Sequence, residues 1–225
     1  MVVAAEGKFV TCKLLSLLFL RMRYTGPKCR LCRREGVKLF LKGDRCETQK
    51  CAVVKRNTKP GQQGRSSKPT EYAKQLREKQ KAKRIYGLTE TQFENLFAEA
   101  SKSSRATGDY MLEMLERRID SALYRSGLVD SRSQARQLIS HGLFTVNGKK
   151  VKTPSIRLRM GDKVSLKTEA KGNNFFVNKT TTASKLRWLD INDKAYSFQV
   201  TAIPEGNDLE ASIESRLIVE YYSRV

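Results

Sequence analysis

The sequence predicts an α+β fold, with a metal-clipped loop and helical N-terminal part leading into a helix–helix–β-hairpin module with a small β region. Three observations predict it. Four of the five cysteines fall between residues 29 and 51, a stretch with almost no apolar period. Phe93, Leu96, Phe97 and Ala100, and then Met111, Leu115, Ile119 and Leu123, recur at helical spacing. Asn147-Gly148 separates two short runs, Phe144–Val146 and Lys149–Val151. That dipeptide is a strong hairpin signal, because a tight two-residue turn needs positive φ at both positions.

A chain of 225 residues suits one large domain or two small ones. Its 44 Lys and Arg against 23 acids give a formal charge of +21. Such an excess repels itself unless a polyanion compensates it. Nucleic acid is the partner this favours, since each neutralised phosphate releases a counterion. The charge is uneven. Residues 22–84 hold 20 basic and 5 acidic side chains, a net of +15, whereas residues 186–225 hold 4 and 7, a net of −3. The front is built for phosphates, and the tail reads as ordinary surface or a face toward another protein. An anionic membrane would require a basic amphipathic helix with a long apolar face, which the sequence does not offer.

The longest apolar run, residues 14–20, is far below the roughly 20 residues of a membrane span. No small-residue cleavage site follows it, and it carries too few Arg for an organelle-targeting peptide. Residues 1–21 therefore read as an extension foreign to the fold, with Met22 an alternative start. After it, the pattern divides into a basic four-cysteine and helical part (22–109), a hairpin module (110–185) and a β/helix tail (186–225) that returns to the first part.

In order along the chain, residues 23–51 read as loop, punctuated by Gly26, Pro27, Gly36 and Gly43. Arg23, Lys28, Arg30, Arg33 and Arg34 make this segment a candidate RNA contact. Residues 56–70 form a Gly/Pro-broken basic loop, in which Lys59, Arg65 and Lys68 would meet phosphates. Residues 71–86 read as a helix polar nearly all round. Such a helix seldom stands alone, and lying along RNA through Arg77, Lys81 and Arg84 would account for it. Thr89 and Gln92 form a capping box for the next helix, whose 93/96/97/100 stripe is core. Residues 110–126 read as one amphipathic helix closed by Gly127, with Arg117, Arg118 and Arg125 on its outside. Ser131 and Gln134 cap a short helix that stops at His141-Gly142. Residues 156–168 read as two strands around Gly161-Asp162. The tail alternates at 197–201 and again at 217–222.

Cys29, Cys32, Cys46 and Cys51 have spacing C-x2-C, x13, C-x4-C, which suits one tetrahedral site of four thiolates. Disulfides are the alternative, disfavoured in the reducing compartment where a nucleic-acid binder works. Zinc is the first choice. An iron–sulfur cluster uses the same four thiolates, and the spacing does not choose. Cys12 lies outside the pattern.

The hairpin module carries the second candidate interface. Arg132 and Arg136 lie i, i+4 on a helix face away from Leu138 and Ile139, and so read as exposed. Ser131, Ser133, Gln134, Gln137 and His141 sit on the same short helix, whose first-turn N–H groups attract anions. Lys149 and Lys150 lie at the hairpin turn. Together these residues outline a basic cleft for shaped RNA, read through backbone and 2′-OH contacts. With no second His and no paired acids nearby, His141 reads as a cap or RNA contact; no catalytic residue is assigned.

Residues 132–142 (RSQARQLISHG) through 146–151 (VNGKKV) resemble the RNA-binding module named after bacterial small-subunit ribosomal protein four. Residues 23–36 (RYTGPKCRLCRREG), 75–81 (QLREKQK), 84–87 (RIYG) and 217–222 (LIVEYY) extend that resemblance over residues 22–225. The cysteines match the metal-binding branch of that family. The resemblance implies a structural constituent of the small subunit, in the cytoplasm rather than an organelle, binding small-subunit rRNA early in assembly at a multi-helix junction. It implies a place beside neighbouring protein five in the region of translational accuracy and, as in some bacteria, repression of the chain's own operon mRNA. One departure stands out. Where the family has Pro-Gly-Gln-His-Gly, this chain has Gln63, which cannot carry charge or stack as His does.

Two other classes compete. The same hairpin module is appended to pseudouridine synthases and some tRNA synthetases, but no catalytic domain fits beside it here. A zinc-dependent DNA regulator would present a base-reading helix between its metal ligands, whereas the cysteine segment reads as loop.

Overall fold

The computed structural model describes residues 23–61, 68–170, 186–192 and 195–224. The extension over 1–21, Arg65 and Gln63 lie outside the described residues.

The cysteine segment contains more helix than its sequence suggests. Helix α1 (Lys28–Glu35) ends at Gly36 with φ 76°, a 3-10 turn spans Gly43–Cys46, and a single helical turn α2 covers Ala52–Lys55. Pro27 precedes α1, and Gly36 accepts the left-handed conformation that stops it.

Helix α3 (Glu71–Tyr86) begins where the Thr70 hydroxyl accepts from the Ala73 amide at 3.3 Å and ends at Gly87, φ 58°. Its polar faces are held by protein. Gln75, Lys79, Ala82, Ile85 and Tyr86 are buried on it. The Gln75 amide donates to Glu220 at 3.0 Å, and Lys79 pairs with Glu90. Helix α4 (Glu90–Ala100) carries the Thr89/Gln92 capping box, and Phe93, Leu96 and Ala100 are buried as expected.

The single helix expected over 110–126 is two: α5 (Thr107–Glu116) and α6 (Ile119–Arg125). The break has a partner. The Ile119 amide donates to the Ile156 carbonyl at 2.9 Å, and the Leu158 amide donates to the Arg117 carbonyl at 2.8 Å. Residues 156–158 therefore satisfy the backbone groups freed at 117–119, and do not form the first of two strands. Helix α7 (Arg132–Ser140) starts at Ser131, whose hydroxyl accepts from the Gln134 amide, and Gly142 beyond it has φ 72°.

Strands β1 (Phe144–Val146) and β2 (Lys149–Lys150) form the hairpin, with φ 49° at Asn147 and 77° at Gly148. With β3 (Lys163–Leu166), β4 (Leu189–Asn192) and β5 (Ser197–Val200) they make one antiparallel sheet, ordered β2-β1-β3-β5-β4. The alternating run 217–222 is helical. Helix α8 (Ser215–Ser223) packs on α3 with Ile218 fully buried. Its apolar residues Leu217, Ile218, Tyr221 and Tyr222 suit a helical face as well as a strand.

Two cores result. Ile119, Leu123, Ala135, Ile139, Phe144, Leu158, Val164, Trp188 and Phe198 pack α6 and α7 on the sheet. Ala82, Tyr86, Phe93, Met111, Leu115 and Ile218 pack α3, α4, α5 and α8 together. Helix α5 thus belongs with the N-terminal lobe, and β4 and β5 with the hairpin module. In the tail, Leu209, Ile213, Ile218 and Tyr222 pack into the core of the first lobe. Among the described residues no helix is long and apolar enough to cross a membrane.

Candidate nucleic-acid interface

The two cores meet along a buried ionic seam, and the arginines read as an exposed cleft belong to it. Arg132 and Arg136 are each only 8% exposed. The Arg132 guanidinium lies between the rings of Tyr86 and Tyr124, 4.7 and 4.6 Å from their centroids. It donates to Glu116 at 3.5 Å and to Glu210 at 3.2 Å. Arg125 shares both acceptors, at 2.7 and 3.3 Å. Arg136 donates from Nε to Asp120 at 2.6 Å, from Nη1 to the Gly87 carbonyl at 2.5 Å, and from Nη2 to the Tyr86 carbonyl. The expectation of exposure is corrected: the helix face opposite Leu138 and Ile139 meets the other lobe, not solvent. A helical period identifies one core face and is blind to a second.

The electrostatics follow. Burial pulls the Arg132 guanidinium down, but Glu116, Tyr86 and Glu210 outweigh it and raise its pKa. Burial prevails at Arg136 despite Asp120, and its pKa is lowered. Burial pushes Glu210 up, and Arg132 and Arg125 hold its carboxyl below the usual range.

Several other candidate cations also have protein partners. Arg84 and Arg77 pair with Glu35, which is almost fully buried, and Lys81 pairs with Glu78. Arg117 holds the Leu158 carbonyl and Glu113. Arg118 forks onto Asp120. Arg33 donates to the Thr58 carbonyl at 3.0 Å. Ser131 is a buried cap, and the Gln134 carboxamide accepts from the Asp130 amide. Lys59 is half-buried.

A second set stays at the surface. Arg23, Arg30, Arg34, Lys68, Ser133, Gln137, His141, Lys149 and Lys150 are exposed. Ser133, Gln137 and His141 are spaced by four, so the outward face of α7 is this row, not Arg132 and Arg136. Across from it lie Arg23, Tyr24 and Lys28, which with Ser133, Arg136, Gln137 and His141 line a groove of about 470 Å³. A neighbouring cavity of about 240 Å³ shares Arg23, Tyr24, Lys28, Ser133 and Arg136 and adds Phe40, Lys83 and Arg84. Sequence reading missed Tyr24 and Phe40. Their signal was an aromatic set among basic residues, a pattern suited to nucleobases.

Cys29, Cys32, Cys46 and Cys51 are free thiols that line one small cavity with Leu41, Lys42 and Arg45. Burial raises the thiol pKa of Cys32 and Cys46. Among the described residues, no three Cys, His, Asp or Glu side chains stand where they could hold a metal ion.

The "Ribosomal protein S4/S9 N-terminal domain" family matches residues 23–116, and the "S4 domain" family matches residues 117–164. The boundary falls at the break between α5 and α6, where the two cores divide. The chain is 48% identical over 205 residues to small ribosomal subunit protein uS4 of Clostridioides difficile, spanning 90% of this chain and 99% of that one. The proteins of the same name from Pelobacter propionicus and Heliobacterium modesticaldum are 47% and 48% identical over 206 residues, with the same coverage. With both family regions in order and near-complete relatives at this identity, the chain belongs to the small-subunit ribosomal protein S4 family.

Proposed function

We propose that this protein is a structural, non-catalytic constituent of the small ribosomal subunit that binds small-subunit rRNA, in the cytoplasm. The observation that carries the reading is the alignment with relatives of that name over 99% of their length. The charge of +21 and the basic, exposed groove between α7 and the N-terminal segment support it physically. Co-sedimentation tests it. The full chain should remain on small subunits through a high-salt wash and bind a 5′-domain rRNA transcript far more tightly than duplex DNA. Equal affinity for the two nucleic acids, or loss from subunits at moderate salt, overturns it.

Finer parts of the reading rest on the family resemblance: early binding that nucleates assembly, contact with neighbouring protein five, a contribution to accuracy, and repression of the chain's own mRNA. The acidic tail, residues 186–225, suits a protein-facing surface. The metal reading rests on the four cysteines around one cavity. They would hold zinc or an iron–sulfur cluster as a structural cross-link in a segment with little apolar core. Metal analysis of anaerobically purified protein should find about one zinc, or one cluster, per chain. Neither being present overturns that part alone.

A further inference from the structure

The groove between the N-terminal segment and α7 shares five lining residues with the smaller cavity, and two of its cations, Arg23 and Lys28, pair with no carboxylate among the described residues. Lys28 is half-buried; its ammonium donates to the Tyr24 carbonyl at 3.1 Å and lies 5.9 Å from the Tyr24 ring centroid. Its charged neighbours are Arg23 and Arg136, both cationic. Arg136 has its own anion in Asp120. Ser133 stands in the first turn of α7, where backbone N–H groups have no helical acceptor. Tyr24 and Phe40, 43% and 42% exposed, both line the smaller cavity. Phe40 has φ 47°, a conformation unfavourable for a bulky residue. A fold that holds an aromatic ring outward on an unfavourable backbone is displaying it, not packing it.

We propose that this joint cavity takes one unpaired nucleotide of the rRNA, its phosphate on Arg23, Lys28 and Ser133 and its base against Tyr24 and Phe40. The proposal rests on the rRNA-binding reading above and adds a defined subsite to it. The cavity is too small for a helix and has room for one extruded base. An anion between Lys28 and Arg23 relieves their repulsion. The aromatic pair offers stacking that any base can use, while the phosphate gives the salt-dependent part.

The test uses the full chain and a small-subunit 5′-domain rRNA transcript, with affinity measured across a salt series and base reactivity mapped by chemical probing. The wild-type chain should shield at least one unpaired base. Tyr24→Leu should weaken binding about tenfold with the salt slope unchanged, and should re-expose that base. Tyr24→Phe keeps the ring and should bind like wild type, which separates stacking from a folding defect. Lys28→Gln should lower the magnitude of the log K against log salt slope by about one. If Tyr24→Leu and Phe40→Leu both bind and shield as the wild type does, the subsite is wrong while rRNA binding stands. If the wild-type chain does not bind the transcript, the rRNA reading fails and the subsite with it.

Discussion

At the residue scale, the seam between the lobes governs what substitutions do. Arg132 and Arg136 carry charges that RNA could use, yet each is committed to a buried carboxylate, Glu116 or Asp120. Arg136→Ala leaves Asp120 to Arg118 but strips the Tyr86 and Gly87 carbonyls of a buried donor. It should cost about 1–3 kcal/mol of stability, not the few tenths expected of an exposed side chain. Urea unfolding checks this, and a loss below ~1 kcal/mol would return Arg136 to the surface. The pH dependence has a definite sign. Burial acts to raise the Glu210 carboxyl, but Arg132 and Arg125 leave it below its ordinary value. A lowered folded-state pKa gives stability that is present above the unfolded value and lost as pH falls through the folded one. Glu210→Gln should thus be less stable than wild type at neutral pH. That gap should close on acidification below the usual carboxylate range.

At the element scale, terminators were legible where local chemistry decides them. Thr89 with Gln92, Ser131 before α7, and Asn147-Gly148 all act where the sequence placed them. Gly87 does two jobs. It ends α3 at φ +58°, and a Cβ there would stand 2.8 Å from Arg136 Nη1. Gly148, at φ +77°, has open space around it. Gly148→Ala should cost about 1–2 kcal/mol from the left-handed backbone alone. Gly87→Ala should cost more, since it also displaces a buried guanidinium. Equal losses in thermal or urea unfolding would show that Arg136 moves aside freely. The break between α5 and α6 was not legible. The apolar spacing of four continues across it from Met111 to Leu123, while the hydrogen bonds that end α5 come from residues 156–158.

At the scale of the whole molecule, the chain leaves the N-terminal lobe after α5, builds the hairpin module, and returns through α8. Ile213 and Ile218 are buried in the first core, with Leu209 and Tyr222 packed against it. A chain ending at residue 208 should lose protease resistance over 71–116 while 119–166 stays resistant. Cleavage that attacks both halves equally, or neither, would mean that the cores are not separable. This topology also explains the acidic tail. Glu210, read as surface, bonds Arg132 of the hairpin module, and Glu220 bonds Gln75 within the N-terminal lobe.

The sequence by itself determined the α+β class, the capped starts of α4 and α7, the hairpin turn and a charge excess that calls for a polyanion. Each is set by composition or by contacts within a few residues, which a linear pattern records. Only the tertiary structure decided which polar side chains stay exposed. The i, i+4 pair Arg132 and Arg136 and the i, i+4 row Ser133, Gln137 and His141 look equally polar along the chain. The buried carboxylates of Glu116 on α5 and Asp120 on α6, with Glu210 of the tail, draw the first pair inward. No rule of local spacing contains that choice. It depends on charges 16 and 78 residues away, brought within about 3 Å only when both cores have formed.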